Sequence, residues 1–113
     1  MERDDFLEAM KAQEFGVEIE FSYITRHRAE EIVGNVLHDT DLLDSEGRQW
    51  EIVSDGSIVA MKRDEFGDAV SASSEYKCEL NTPILGYQDI PLLQEVIRAL
   101  RKGGAEPSEL CGI

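Results

Sequence analysis

Apolar and polar residues alternate strictly from Glu14 to Ser22, and this alternation predicts the clearest β-strand in the sequence. One side of the strand would be apolar, because Phe15 and every second residue after it is hydrophobic. The other side would carry Glu18 and Glu20, which are two positions apart and therefore point in the same direction. The strand is thus predicted to have one face for the core and one acidic face.

Three further strands and a loop are predicted in the middle of the chain. Residues 75–80 alternate like the first strand, and 50–53 contain aromatic and β-branched residues typical of a strand. After a polar turn at 54–57, residues 58–61 would return as the second strand of a hairpin. Residues 62–74 are polar, contain glycine and lack periodicity, so we expect an exposed loop that is able to move.

Helical periodicity predicts three helices. Residues 1–12 carry apolar side chains at helical spacing among charged ones. Thr25 is a suitable N-cap for a second helix, which should run to about His38. Asp89 can cap a third helix that has proline in its first turn, basic residues near its end and the pair Gly103-Gly104 as a stop signal.

The order helix, strand, helix, hairpin, strand, helix predicts an α+β fold, with helices packed on one face of a mainly antiparallel sheet. A length of 113 residues is typical of one domain, so residues 1–113 are expected to share a single core. The apolar strand faces would meet the helices. The opposite face, with Glu18, Glu20 and Glu79, would look into a cleft.

The net charge of -13 narrows the choice of partners. Such a chain repels phosphate backbones and anionic lipid headgroups, so nucleic acid and membrane surfaces are poor partners. Its apolar runs are far shorter than the roughly 20 residues of a membrane span, and the first residues lack the apolar core of a signal peptide. A cytoplasmic location is therefore expected, with Cys78 and Cys111 as reduced thiols.

The paired strand carboxylates are the main candidates for chemistry. The Cβ atoms of Glu18 and Glu20 would lie roughly 6–7 Å apart on a strand. Two such charges repel by about 2.4 kcal/mol at an effective dielectric near 20. A divalent cation would remove this cost and favours oxygen ligands. From the spacing alone, a strand with one hydrated face explains these residues at least as well as a metal site does, and the same holds for Glu79.

Four other polar residues also have two interpretations. Asp55 and Ser57 form a polar turn beside the sheet, which is equally the pattern of an ordinary hairpin turn. Arg26 and Arg48 could bind a carboxylate or a phosphate through the guanidinium group, or could be surface charges. The chain contains no GxxxxGK[ST], GxGxxG or GxSxG motif, so P-loop, Rossmann and serine-hydrolase assignments have no support.

Five short motifs occur in order along the chain: FGVEIEF, ITR before a helix, GRQWEIVSDGSI, YKCELNTPIL, and LLQEVIRALRKGGAE followed by CGI. In this order and spacing they resemble the amidoligase family of the carboxylate-amine ligase superfamily, from about Phe15 to Ile113. The resemblance implies the N-terminal part of the catalytic fold of glutamine synthetase and glutamate-cysteine ligase. It also implies ATP-dependent joining of a carboxylate to an amine through an acyl phosphate.

The resemblance assigns roles to individual acidic residues. Glu18 and Glu20 match the metal-binding carboxylates of the family's first strand. Glu79 matches the acid of its E-x-x-(S/T)-P-(I/L)-L motif, which reads ELNTPIL here. Asp55 and Ser57 match a D-G-S turn with an inferred catalytic or substrate-binding role. Mg²⁺ or Mn²⁺ and ATP are the implied cofactors, and the candidate cofactor-binding residues are Arg26 and Arg48.

One departure from the family concerns the end of the sequence. Family members continue after the C-G-(I/L) segment into an H-x-H strand and a further ATP-binding half. The chain is therefore expected to be the N-terminal portion of a catalytic domain, and to be inactive or nearly so alone.

Implied substrates are small-molecule or peptide carboxylates and amines, and an exposed sheet edge would favour homo-oligomers. Two alternatives stay open: a non-catalytic acidic protein-binding domain, and a metal-dependent hydrolase.

Overall fold

A computed structural model describes residues 13–107, and their elements confirm the predicted α+β class. The first predicted helix and Cys111 lie outside the described residues. Single-turn 3₁₀ helices at Ser74–Tyr76 and Tyr87–Asp89 accompany the main elements. These are β1 (Glu14–Phe15), β2 (Glu18–Phe21), α1 (Arg26–Leu37), β3 (Glu51–Val53), β4 (Met61–Arg63), β5 (Ala69–Ser71), β6 (Cys78–Asn81), β7 (Leu85–Gly86) and α2 (Ile90–Lys102).

The central sheet has the strand order β2, β6, β3, and both pairings are antiparallel. Its register aligns Ile19, Leu80 and Ile52 in one row across the three strands. Leu80 is fully buried in this row, which faces the core. Because successive residues point to opposite faces, the next row, with Glu20 and Glu79, faces away from the core. The strands of this sheet therefore have one apolar face and one acidic face, as the alternation predicted.

The helices cover the apolar face of the sheet. The hydroxyl of Thr25 accepts a hydrogen bond from the backbone N–H of Arg28 at 3.1 Å, so Thr25 is the N-cap of α1 as predicted. His38 ends the helix with a left-handed φ of 59°. α1 packs against both α2 and β3. The buried residues of the two helices are Ala29, Ile32, Val33, Leu37, Val96 and Leu100.

The predicted hairpin of 50–53 with 58–61 is wrong. β3 pairs with β6, and β4 pairs with β5 at the register Met61 to Ser71. Ordered strands therefore occupy much of 62–74, which was expected to be a loop. The turn between them closes locally, because Oδ1 of Asp64 accepts hydrogen bonds from the N–H groups of Phe66 at 2.9 Å and Asp68 at 3.0 Å.

Asp89 occupies the N-cap position of α2 as predicted, but the side-chain cap hydrogen bond is absent. Its carboxylate makes no cap hydrogen bond with α2 and accepts instead from Arg48 and from the N–H of Gly86. A long-range charged partner has thus replaced the local one. Within residues 13–107, no helix has the length and apolar character needed to cross a membrane.

Candidate metal site

Three carboxylates meet on the face of the central sheet that is turned away from the core. Glu20 of β2 and Glu79 of β6 are directly paired across the two strands, so their side chains begin about 5 Å apart. Asp55 lies two residues beyond Val53, which is the partner of Glu79 on β3. One carboxylate oxygen from each residue lies within 4.8 Å of the other two, and all three residues are half-buried.

Ser57 holds Asp55 in place through a turn. Its backbone N–H and its hydroxyl both donate hydrogen bonds to Oδ1 of Asp55, at 2.9 Å and 2.8 Å. These bonds, the backbone one first, lower the pKa of Asp55, and a side-chain hydrogen bond with Glu20 and the charge of Lys77 add to the effect. The D-G-S turn therefore favours the ionised form of Asp55 and orients it toward the sheet carboxylates.

The charge of this group is only partly balanced. The three carboxylate oxygens lie within 4.8 Å of one another, so their negative charges repel wherever they are ionised together. Lys77 lies close enough to Asp55 to lower its pKa. Lys77 had no predicted role, although the alternation of 75–80 places it on the same side as Glu79. One lysine does not neutralise three carboxylates, so a bound cation would relieve a real repulsion.

The model of a family described as "Putative amidoligase enzyme" matches residues 11–113. The chain belongs to this family. Comparisons with curated proteins and with solved structures found no match. Membership of the amidoligase family indicates a ligase-like function, and the three carboxylates form a group that could hold a metal ion.

In this amidoligase-family chain, Glu18 lies on the same face of the sheet as the three-carboxylate group but two rows away from Glu20 and Glu79. It pairs with Asn81, whose buried Oδ1 has no hydrogen-bond partner among residues 13–107. The structure thus places Asp55 beside Glu20 and Glu79, where the resemblance had put Glu18. The roles of all four acidic residues stay predictions.

The two arginines predicted to bind cofactor both have partners within the chain. Nη1 of Arg26 donates to the backbone carbonyls of Ser74 at 2.7 Å and Lys77 at 3.0 Å, so it ties the start of α1 to the segment before β6. Arg48 lies three-quarters buried in an ion-pair network. A role for either guanidinium in binding nucleotide stays a prediction, and it would have to share the group with these contacts.

The network around Arg48 joins the loop before β3 to the start of α2. Its Nη1 and Nη2 donate to the two oxygens of Asp89 at 2.8 Å and 2.9 Å, and its Nε donates to Asp44 at 3.0 Å. The indole N–H of the fully buried Trp50 donates to the same Asp44 oxygen at 2.9 Å. Asp44 and Asp89 are 6% and 8% exposed, so their charges depend on these donors.

Acid is expected to weaken the fold through Asp89. The hydrogen bonds from Arg48, followed by the one from Gly86, lower the pKa of Asp89 from 3.8 to about 2. The carboxylate therefore adds about 2 kcal/mol of stability above pH 4, which is lost as the pH falls through about 2. Urea unfolding from pH 6 to pH 2 should show this loss, and Asp89→Asn should flatten the curve below pH 4. Equal acid dependence in the two proteins would contradict this role.

Proposed function

We propose that the carboxylates of Glu20, Asp55 and Glu79 bind a divalent cation, Mg²⁺ or Mn²⁺, in the nucleotide site of an ATP-dependent ligase that joins a carboxylate to an amine. The observation that carries the proposal is the convergence of three carboxylate oxygens to within 4.8 Å on one face of the sheet. Family membership supports the reaction class.

The donor set suits a hard cation. Oxygens on opposite sides of a Mg²⁺ ion lie about 4.2 Å apart, and those around the larger Ca²⁺ about 5 Å apart. The three carboxylate oxygens lie within 4.8 Å of one another, so side-chain rotations that draw them together would let them share an ion. The group contains no sulfur or imidazole ligand, which favours Mg²⁺ or Mn²⁺ over zinc.

A cation held here would neutralise phosphate charge on ATP. The chain's own residues would prepare the site. The paired strands hold Glu20 and Glu79 on a rigid support, and Ser57 keeps Asp55 ionised and oriented. Lys77, beside Asp55, is positioned to attract a phosphate oxygen. In the reaction proposed, the substrate carboxylate attacks the γ-phosphate to form an acyl phosphate, and the amine then displaces phosphate.

The cation site is tested by Glu79→Gln, whose effect on the free energy of unfolding should change sign when Mg²⁺ is added. In EDTA, Glu79→Gln should raise the free energy of unfolding by about 1 kcal/mol, because it removes a repelling charge. With Mg²⁺ at about 100 times its dissociation constant, the natural chain should gain about 2.7 kcal/mol and the variant much less. Urea unfolding with and without MgCl₂ or MnCl₂ measures both effects.

Glu51→Gln is the matched control. Glu51 is an exposed glutamate of β3, pairs with Asn81 rather than Glu79, and undergoes the same change of charge. It should leave the response to Mg²⁺ almost unchanged. If the natural chain gains no stability from either ion, or if Glu51→Gln loses as much response as Glu79→Gln, the cation site is wrong. Mg²⁺ with a non-hydrolysable ATP analogue should stabilise further, which a hydrolase site without nucleotide would not show.

A further inference from the structure

Phe66 is unusually exposed for a residue in an ordered turn. Its side chain is 80% exposed at the tip of the β4–β5 hairpin. Asp64 closes the turn by accepting from the N–H groups of Phe66 and Asp68, and Gly67 adopts a φ of 82° that favours glycine. The ring is therefore held out in water by a preformed turn, so a partner could bury it with little loss of backbone entropy.

An apolar groove lies between β2 and α2. This β2–α2 groove has a volume of about 200 Å³, and its apolar lining includes Ile19, Phe21 and Leu100. Three charged residues also line it: Arg101, Glu20 and Glu106. The lining is mainly apolar, and one phenyl ring is small enough to enter it. Phe66 does not fill the groove of its own molecule, because the ring is exposed to solvent.

The hairpin turn and the end of α2 carry opposite charges. The hairpin turn carries Asp64, Glu65 and Asp68 around Phe66. The end of α2 beside the groove carries Arg98, Arg101 and Lys102. In a chain of net charge -13, this helix end is a suitable place for another acidic copy to approach.

Hairpin and groove are also neighbours at one edge of the molecule. Arg63 of β4 forms an ion pair with Glu106 at 2.9 Å, and Glu106 lines the groove. A two-fold arrangement can therefore engage both features of each copy at the same time. We propose that two copies of this chain pair by inserting Phe66 of each copy into the β2–α2 groove of the other. Glu20 lines the groove and is also one of the three carboxylates of the proposed cation site, so the two sites are adjacent, but the pairing does not require a bound ion.

The concentration dependence of association tests the proposal. Sedimentation velocity of the natural chain from about 1 µM to about 1 mM should show a monomer–dimer equilibrium. Phe66→Ala should raise the dissociation constant about 100-fold, since each dimer loses two anchors of about tenfold each. The control Ile84→Ala removes another side chain that is 61% exposed and should have no effect. A natural chain that stays monomeric throughout, or a Phe66→Ala protein that dimerises normally, overturns the proposal.

A charge-reversal variant and a mixing experiment test whether the groove binds Phe66 of the other copy. Arg101→Glu should weaken association at least tenfold, whereas Lys102→Glu, an equal change at the next exposed position outside the groove lining, should have a smaller effect. Arg101 is exposed, so the fold should survive. Phe66→Ala keeps its groove and Arg101→Glu keeps its hairpin, so a mixed dimer retains one intact contact and should have a dissociation constant between those of the two variant homodimers. A dissociation constant outside that range would contradict the reciprocal contact.

Discussion

Arg48→Met is expected to lower the free energy of unfolding by about 3–5 kcal/mol, because it removes a cationic partner shared by two carboxylates that are nearly buried. Methionine keeps most of the aliphatic stem, so the loss reports the charge and its hydrogen bonds. Asp44 would keep its bonds from Trp50 and from backbone N–H groups, whereas Asp89 would keep the one from Gly86. Urea unfolding at pH 7 measures the difference.

Arg63→Met is the matched control for this result. Arg63 and Glu106 form an ion pair whose side chains are 47% and 42% exposed, so its loss should cost about 1 kcal/mol or less. The double variant Arg48→Met, Asp89→Asn should recover part of the loss, since it removes one stranded charge. Equal losses for Arg48→Met and Arg63→Met would show that the buried network contributes no more than a surface pair.

Leu80→Ala is expected to lower the free energy of unfolding by about 3 kcal/mol. Leu80 is fully buried in the middle strand of the central sheet, between Ile19 and Ile52. Helices on one side and strands on both sides limit how far the structure can close the cavity left by the lost atoms. Thermal and urea unfolding would both measure the loss.

Val59→Ala provides the comparison for Leu80→Ala. Val59 is 39% exposed, so it should cost well under 1 kcal/mol. The stability that Mg²⁺ adds to Leu80→Ala should stay close to that of the natural chain, because Glu79 lies on the opposite face of β6. A complete loss of the response to Mg²⁺ in a folded Leu80→Ala protein would contradict the separation of the two faces.

Alternation predicted the two-sided strands well, because it reports directly which side of a strand is buried. The run from Glu14 to Ser22 forms β1 and β2, interrupted at 16–17. Phe21 lies in the core, and Phe15 and Ile19 pack against it. The α+β class followed from the same patterns. The Thr25 cap was predictable because the hydroxyl bonds an N–H only three residues away.

Strand partners were not predictable from these local patterns. Nothing in 50–53 distinguishes a partner at 58–61 from one at β6, because the choice depends on packing across the whole sheet. The strands β4 and β5 are largely exposed, so selection for burial left no alternation in them. Asp89 carried a valid local signal for a cap, but Arg48, 41 residues away, binds its carboxylate instead.

The candidate site was predicted only in part, again because local patterns do not show which strands pair. Glu20 and Glu79 could be placed on acidic strand faces from the sequence, but their direct pairing needed the register of β2 with β6. Asp55 entered the group because β3 also pairs with β6, so the turn after β3 ends beside Glu79. Lys77 was missed, since a single lysine beside acidic residues usually is an ordinary surface charge.

The apolar row of Ile19, Leu80 and Ile52 determines how the carboxylates on the opposite face respond to a change in salt concentration. A slip of one residue between β2 and β6 would turn Glu20 into the core and Ile19 into water, so hydrophobic burial fixes the register. That force depends little on ionic strength, whereas attraction between the carboxylates and a cation is screened by salt. A change in salt concentration would therefore alter how tightly an ion binds at the proposed site without altering the arrangement of the oxygens.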